Sequence, residues 1–298
     1  VRVFVVDAGY YVHKTFDVVA ANRNPEFIEK NCMSTLLSSV CKDALVNNAT
    51  HVLVCFDGGN QYRRSIYKDY KANRRKSNET QITKKDGSVV TVAASPHTMA
   101  RPAFEMLQLA GFACSRVKGY EADDLLGSAA TSLVPQGAHV VLGTRDKDMA
   151  SCVGPKCSLF WPTEKRVLGP DDVFAHWGVY PNQMRDFLCL TGDGVDNIPG
   201  SGFSPKTAAA LLQKHGSIAN CLESDNVDAR KLRQKSKSLQ IARKLVTLRR
   251  DINYKLDDLV PNAPDVETLS ELVWKVPDSL KELGDARKAA RFKGLFRR

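Results

Sequence analysis

Three short apolar runs in the chain lead into aspartate: Val3–Val6 into Asp7, Val52–Phe56 into Asp57, and Val140–Leu142 through Gly143, Thr144 and Arg145 to Asp146 and Asp148. Runs of this length, rich in β-branched residues, read as buried strands. Helical patterns fall between them, at about 26–47, 97–110 and 121–132, with a short strand candidate at 111–117. This alternation predicts an α/β fold with a central, mainly parallel sheet flanked by helices. Residues 77–95 are polar and contain a Lys-Lys-Asp-Gly-Ser turn signal, so they read as a flexible or hairpin-like insertion. After a short crossover at 158–167 the pattern changes to helix, Gly/Pro-rich loop and helix over 171–220, then to a basic helix over 229–250. Three parts are expected: an α/β core over 1–170 with an insertion at about 61–105, a helical region over 171–260, and a basic tail over 261–298.

Ligands of open α/β sheets sit at the carboxyl ends of the strands. Asp7, Asp57, Asp146 and Asp148 should therefore share one edge and form a strongly acidic pocket. Divalent cations are the usual remedy for such self-repulsion, and Mg²⁺ prefers oxygen ligands of this kind.

Composition narrows the partner. The 298-residue chain is 43% hydrophobic, enough for a sizeable core. It has no run of 18 or more apolar residues, so no membrane span is expected. Its formal net charge is +10, and with an acidic pocket the positive excess must lie elsewhere. A basic body around an acidic pocket suits a polyanion held by its phosphates. Eight cysteines are scattered without a zinc-site spacing, and only Cys152 and Cys157 are close in sequence. Reduced, mostly buried thiols in an intracellular setting are expected, with the compartment open.

Two further acidic clusters extend the pocket. Glu121, Asp123 and Asp124 stand at a helix start, where the helix dipole alone would favour any one of them. Asp193 and Asp196 lie in the Gly192–Asn197 segment, which alone reads as an Asp/Gly turn. The nine carboxylates together are too much charge for one ion. Two Mg²⁺ or Mn²⁺ ions are the standard solution for phosphodiester hydrolysis. Hard cations need no His or Cys, and none falls in these clusters.

Residues 61–76 read as a basic helix with interleaved tyrosines. At helical spacing Arg63, Tyr67, Lys71 and Arg74 form one stripe, and Arg64, Lys68, Lys71 and Arg75 an adjacent one. Lysines and arginines grip phosphates and tyrosines stack on bases, and a lysine here is also placed to stabilise charge at a scissile phosphate. In residues 191–211, glycines such as Gly200 and Gly202 let backbone approach a phosphate ahead of a helix start, and Lys206 and Thr207 add contacts. Such a hairpin binds a duplex backbone without reading its sequence.

The segments DAGYY at Asp7, FDGG at Asp57, YKANR at Tyr70–Arg74, GYEADD at Gly119–Asp124, TRDKDM at Thr144–Met149 and GDGVDNIPG at Gly192–Gly200 occur in an order that resembles the 5′-nuclease superfamily. That family, with a PIN-like fold, includes the 5′–3′ exonuclease domain of bacterial DNA polymerase I, bacteriophage 5′-exonucleases and flap endonucleases. The resemblance implies a monomeric, metal-dependent nuclease of DNA replication or repair. It would remove primers or flaps at DNA 5′ ends, flaps and branches, with RNA 5′ segments as further substrates. It implies one metal at Asp7, Asp57, Glu121 and Asp123, and a second at Asp124, Asp146, Asp148, Asp193 and Asp196, with some sharing. Lys71 matches a catalytic lysine, Arg74 a neighbouring phosphate contact, and Tyr70 a position near which the terminal nucleotide stacks. Residues 61–105 match an arch that passes single strands, and the Gly192–Thr207 hairpin a helix–three-turn–helix that can hold K⁺. Arg145 departs from the family pattern by adding positive charge beside Asp146, and Ser201–Pro205 is shorter and less glycine-rich than usual. A branched-DNA binding homologue without strong catalysis, and a PIN-like ribonuclease, are the alternative readings.

Overall fold

The computed structural model describes residues 1–22, 26–74, 77–84 and 86–285. Its core is a six-stranded sheet built from β1 (Arg2–Asp7), β2 (His51–Phe56), β5 (Ala113–Arg116), β6 (His139–Gly143), β7 (Cys157–Trp161) and β8 (Arg166–Leu168), with a separate hairpin of β3 (Thr80–Thr83) and β4 (Val89–Val92). The order across the sheet is β5-β2-β1-β6-β7-β8, parallel except for β8. Near-continuous apolar runs suit parallel strands covered on both faces. Val3, Val5, Leu53, Cys55, Val140 and Leu142 pack toward α5 (Ala122–Leu133). The alternate residues Phe4, Val6, Val52, Val54 and Val141 pack toward α1 (Ala8–Ala21), α2 (Ile28–Val46) and α4 (Pro96–Leu109).

The α/β architecture read from the sequence is the one found, and residues 77–95 do contain a hairpin. Three expectations change. The basic segment is not one helix over 61–76: α3 ends at Ile66 (Gln61–Ile66), and the chain turns through 67–74. Residues 158–167 are no crossover but the β7–β8 hairpin of the main sheet. The basic stretch 229–250 forms two helices, α10 (Val227–Gln234) and α11 (Ser236–Val246), separated at Lys235. Arg75 and the tail from 286 lie outside the described residues.

Between the sheet and these helices come α6 (Pro170–Trp177), α7 (Met184–Thr191), α8 (Pro205–His215) and α9 (Ile218–Glu223), and α12 (Val266–Leu272) follows α11. The loop joining α7 to α8 is folded tightly on itself. A Cβ at Gly200 would lie 2.5 Å from the Thr191 carbonyl oxygen, and one at Gly192 2.5 Å from the Gly200 nitrogen. Pro205 then opens α8, and Ser204 accepts from the Thr207 amide at 3.2 Å. Six of the eight cysteines are buried. Among the described residues no helix is long and apolar enough to cross a membrane.

Gly200→Ala is expected to destabilise the protein by about 1–3 kcal/mol, because the obstructing atom is backbone and does not swing away. The urea midpoint against the parent checks this; an unchanged midpoint removes the close approach.

Candidate active site

The strand-end geometry delivers its carboxylates to one cleft. Asp7 ends β1 and caps α1, accepting from the Tyr10 amide at 3.1 Å and the Thr144 hydroxyl at 2.7 Å. Asp57 follows β2 and accepts from the Ala122 amide at 2.9 Å, at the start of α5. Asp123 lies in the first turn of α5. Asp146 and Asp148 follow β6 in a 3₁₀ turn, with the Asp148 amide donating to Asp146 at 2.8 Å. A Cβ at Gly9 would lie 3.4 Å from Asp7 Oδ1 and 3.6 Å from Asp57 Oδ2, so the glycine keeps the space between the two carboxylates open.

The nine sequence candidates divide into two groups. Glu121, Asp124, Asp193 and Asp196 are ion-paired. Arg63 Nη1 lies 2.8 Å from Glu121 and Nη2 2.7 Å from Asp124. Lys71 Nζ lies 2.5 Å from Glu121 and 3.6 Å from Asp196, which Arg74 also holds. Lys147 lies 2.9 Å from Asp193. Asp7, Asp57, Asp123, Asp146 and Asp148 have no ion-pair partner among the described residues.

Electrostatics reflects that division. Burial, then the Asp57 and Asp146 charges, pushes Asp7 up to about 6 against its hydrogen bonds from Thr144 and Tyr10. Asp123 and Asp148 are held well above the usual carboxylate range by burial and by Asp146. Burial also raises Asp146. Burial alone would lower Lys71, but Glu121, Tyr70, Asp123 and Asp196 raise it, so it stays charged. Lys147 outweighs burial at Asp193 and lowers it.

Several sequence assignments move. Arg63 is 4% exposed, and its Nε donates to the Leu245 carbonyl at 2.8 Å, so it faces the core rather than a phosphate. Asp124 is fully buried against Arg63 and the Arg249 amide, not open to the cleft. Tyr70 is 3% exposed and donates to Glu121 at 3.0 Å, so its ring offers no stacking surface. With α3 ending at Ile66, the two helical stripes do not form; Arg64 and Lys68 are exposed, while Tyr67 packs partly against the core. Arg145 turns away from the carboxylates, 4.1 Å over the Trp161 ring and 3.1 Å from Glu164. Lys206 and Thr207 are exposed at the head of α8, as are Gly202 before it and Arg74 at the cleft rim.

The turn at 67–74 is fastened across the cleft to the 193–197 loop. The Lys71 amide donates to the Asp196 carbonyl at 2.9 Å, Asn197 to that of Asp69 at 3.0 Å, and Asn73 to that of Gly194 at 3.3 Å. Lys71 adopts a left-handed φ of 53°, a conformation that costs a non-glycine residue about 1–2 kcal/mol. Sequence reasoning missed Thr144, Lys147 and the Arg63–Leu245 contact. The first two lie inside the TRDKDM segment, whereas nothing local marks a contact 182 residues apart.

Among the described residues no three of these side chains close on one point as ligands around an ion do. The donor set still fits hard cations: every group is oxygen, and the five unpaired carboxylates line a cleft with Gly9 leaving room between two of them.

Comparison with known proteins agrees with the fold and motifs. Residues 2–178 match the family model "5′-3′ exonuclease, N-terminal resolvase-like domain", and residues 179–267 match "5′-3′ exonuclease, C-terminal SAM fold". A 5′-3′ exonuclease of Aquifex aeolicus (strain VF5) is 28% identical over 98% of this chain and 99% of that protein. DNA polymerase I of Thermus filiformis is 30% identical over 90% of this chain, which spans only 31% of the polymerase. Among solved structures, the T5 D15 protein co-crystallised with metal ions superposes with a TM-score of 0.67 at 18% identity, covering 96% of this chain and all of that one. The catalytic core of Rad2 in complex with DNA substrate superposes at 0.56 and 17%, covering 91% of this chain and 86% of that one.

Two outcomes follow for the cleft. Arg63→Ala is expected to cost about 3–5 kcal/mol, since it strands buried carboxylates, and Arg64→Ala under about 0.5 kcal/mol; chemical denaturation compares them. Because Asp7 is raised from 3.8 to about 6, its share of metal-free stability is fully present below pH 3.8 and lost as pH rises through about 6. In EDTA the melting temperature should therefore fall between about pH 4 and pH 6, and Asp7→Asn should shrink that fall.

Proposed function

Because the chain belongs to the 5′–3′ exonuclease family and is a nuclease hydrolysing phosphodiester bonds, we propose that its cleft cuts 5′ flaps and 5′ ends of branched DNA using two divalent ions. The observation that carries this reading is the set of five carboxylates, Asp7, Asp57, Asp123, Asp146 and Asp148, gathered at one sheet edge without ion-pair partners among the described residues. These five would be the principal ligands, with Glu121, Asp193 and Asp196 released to help as their lysines move. Bound Mg²⁺ or Mn²⁺ would supply an ionised water and neutralise charge on the scissile phosphate.

The chain's own groups do the rest. Lys71 holds a buried ammonium between Glu121 and Asp196, and Arg74 stands exposed beside it. Both are placed to neutralise a phosphate entering the rim. The backbone fastening of 67–74 to 193–197 keeps them aligned with the carboxylates. The Gly192–Thr207 loop and the exposed Lys206 and Thr207 at the head of α8 suit the phosphates of a duplex, and a K⁺ there would be held by loop carbonyls. The α/β core would perform the chemistry and the helical region from about 171 would hold the duplex. Action as a monomer and acceptance of RNA 5′ segments belong to the same reading.

A fluorescent 5′-flap DNA incubated with Mg²⁺ or Mn²⁺ tests the proposal. Cleavage that falls at least about 100-fold in Asp148→Asn supports it; no cleavage by the parent under either ion defeats it, and faster cutting of single-stranded RNA would favour a ribonuclease. Since Lys71 competes with metal for Glu121 and Asp196, Lys71→Met should bind Mn²⁺ more tightly by calorimetry while cutting more slowly. Unchanged Mn²⁺ affinity would remove the competition.

A further inference from the structure

The cleft leaves one strongly charged surface unexplained. Residues 229–250 hold nine lysines and arginines and no aspartate or glutamate. The structure divides them by face. Ala229, Leu232, Leu239, Ala242 and Leu245 are buried, and α11 packs on α7 and α3. Arg230, Lys231, Lys235, Lys237, Arg243 and Lys244 are exposed, and none has an ion-pair partner among the described residues. Acids appear at its two ends, where Arg233 meets Asp225 at 3.1 Å, Asp228 opens α10, and Arg249 meets Asp251 at 3.3 Å.

Local helix energetics accounts for part of this pattern. Lys231, Arg233, Arg243 and Lys244 lie in last turns, where the helix dipole favours cations by about 0.3–1 kcal/mol each. It does not account for Arg230 or Lys237. Lys237 stands in the first turn of α11, where the helix dipole disfavours a cation. A face kept for solubility alone would intersperse both signs.

The ridge is also fixed to the cleft. The Leu245 carbonyl accepts from Arg63 Nε at 2.8 Å, and just beyond α11 the Arg249 amide donates to Asp124 at 2.9 Å. Arg63 and Asp124 in turn hold Glu121. Whatever binds α11 is thus held at a set distance from the carboxylates. The 11 residues of α11 extend about 16 Å, alongside roughly nine charges of a duplex at 1.7 Å each.

We infer that the α10–α11 ridge is a second nucleic-acid contact, gripping the phosphate backbone of a duplex arm and bracing it against the cleft. The inference rests on the reading of the chain as a DNA-cutting enzyme. In this reading the ridge's exposed lysines and arginines meet phosphate oxygens, contacts that position a duplex without reading its sequence.

The test is the variant K235Q/K237Q/R243Q/K244Q, with its fold checked by circular dichroism and melting temperature. Binding is read by anisotropy in EDTA on flap DNAs whose duplex arms are about 8 or about 24 base pairs, over a salt series. The parent should bind the long-armed DNA at least about 10-fold more tightly, and the variant should lose that gain. Its slope of log affinity against log salt should fall by about 3–4, one near-unit step per lost phosphate contact. Cleavage of the short-armed flap with Mg²⁺ should stay within about 2-fold, since none of the four residues touches the cleft. A variant that keeps the long-arm gain overturns the ridge while leaving the nuclease reading intact. So does a variant that keeps that gain but loses binding to phosphatidylserine vesicles, because the ridge would then serve a membrane surface. Failure of the parent to cut any flap would instead strike the nuclease reading, independently of the binding data.

Discussion

The structure depends on how the repulsion among carboxylates at one sheet edge is balanced. Charges a few ångströms apart in a partly dry site interact by several kcal/mol, so the chain cannot gather nine of them without compensation. Compensation comes from segments remote in sequence. Arg63 on α3 binds Glu121 and Asp124, Lys71 in the following turn binds Glu121 and Asp196, and Lys147 binds Asp193. These ion pairs also determine which elements meet. Arg63 joins α3 to α5 and α11, and Lys71 joins the 67–74 turn to the loop after α7.

Acids of one chemical type thus take two roles. Asp124 is structural, fully buried beneath Arg63. Asp7, Asp123, Asp146 and Asp148 are raised by burial and by neighbouring carboxylates. Glu121 and Asp196 stand between, held by the Lys71 ammonium. The cleft draws on both matched regions of the chain: most carboxylates come from residues 2–178, and Asp193 and Asp196 from residues 179–267. The acidic cluster and the loop after α7 are therefore built together.

Positive charge divides in the same way. Arg63 serves the core, Lys71 and Arg74 the rim, and the α10–α11 cations face outward. Arg145, beside Asp146 in sequence, stacks on Trp161 and pairs with Glu164 instead of opposing the unpaired acids. Its neighbour Lys147 is the one that reaches an acid of the cleft.

Local sequence determined a good deal. Apolar runs ending in aspartate specified parallel strands and the edge at which the acids collect, because strand length, β-branching and the site rule for α/β sheets are properties of short segments. Glycine and proline spacing specified the α7–α8 hairpin for the same reason. Periodicity failed where a helix stopped early: from residue 61 to 76 it projected stripes that the chain breaks at Tyr67, since the Lys71 and Asn73 contacts to the 193–197 loop outweigh continued helix. Only the tertiary structure decided that Arg63 and Tyr70 point inward while Arg74 points out, that Asp124 is a partner of Arg63, and that Lys71 sits between two acids. Each of those outcomes depends on a residue more than 45 positions away, whose approach no local pattern encodes.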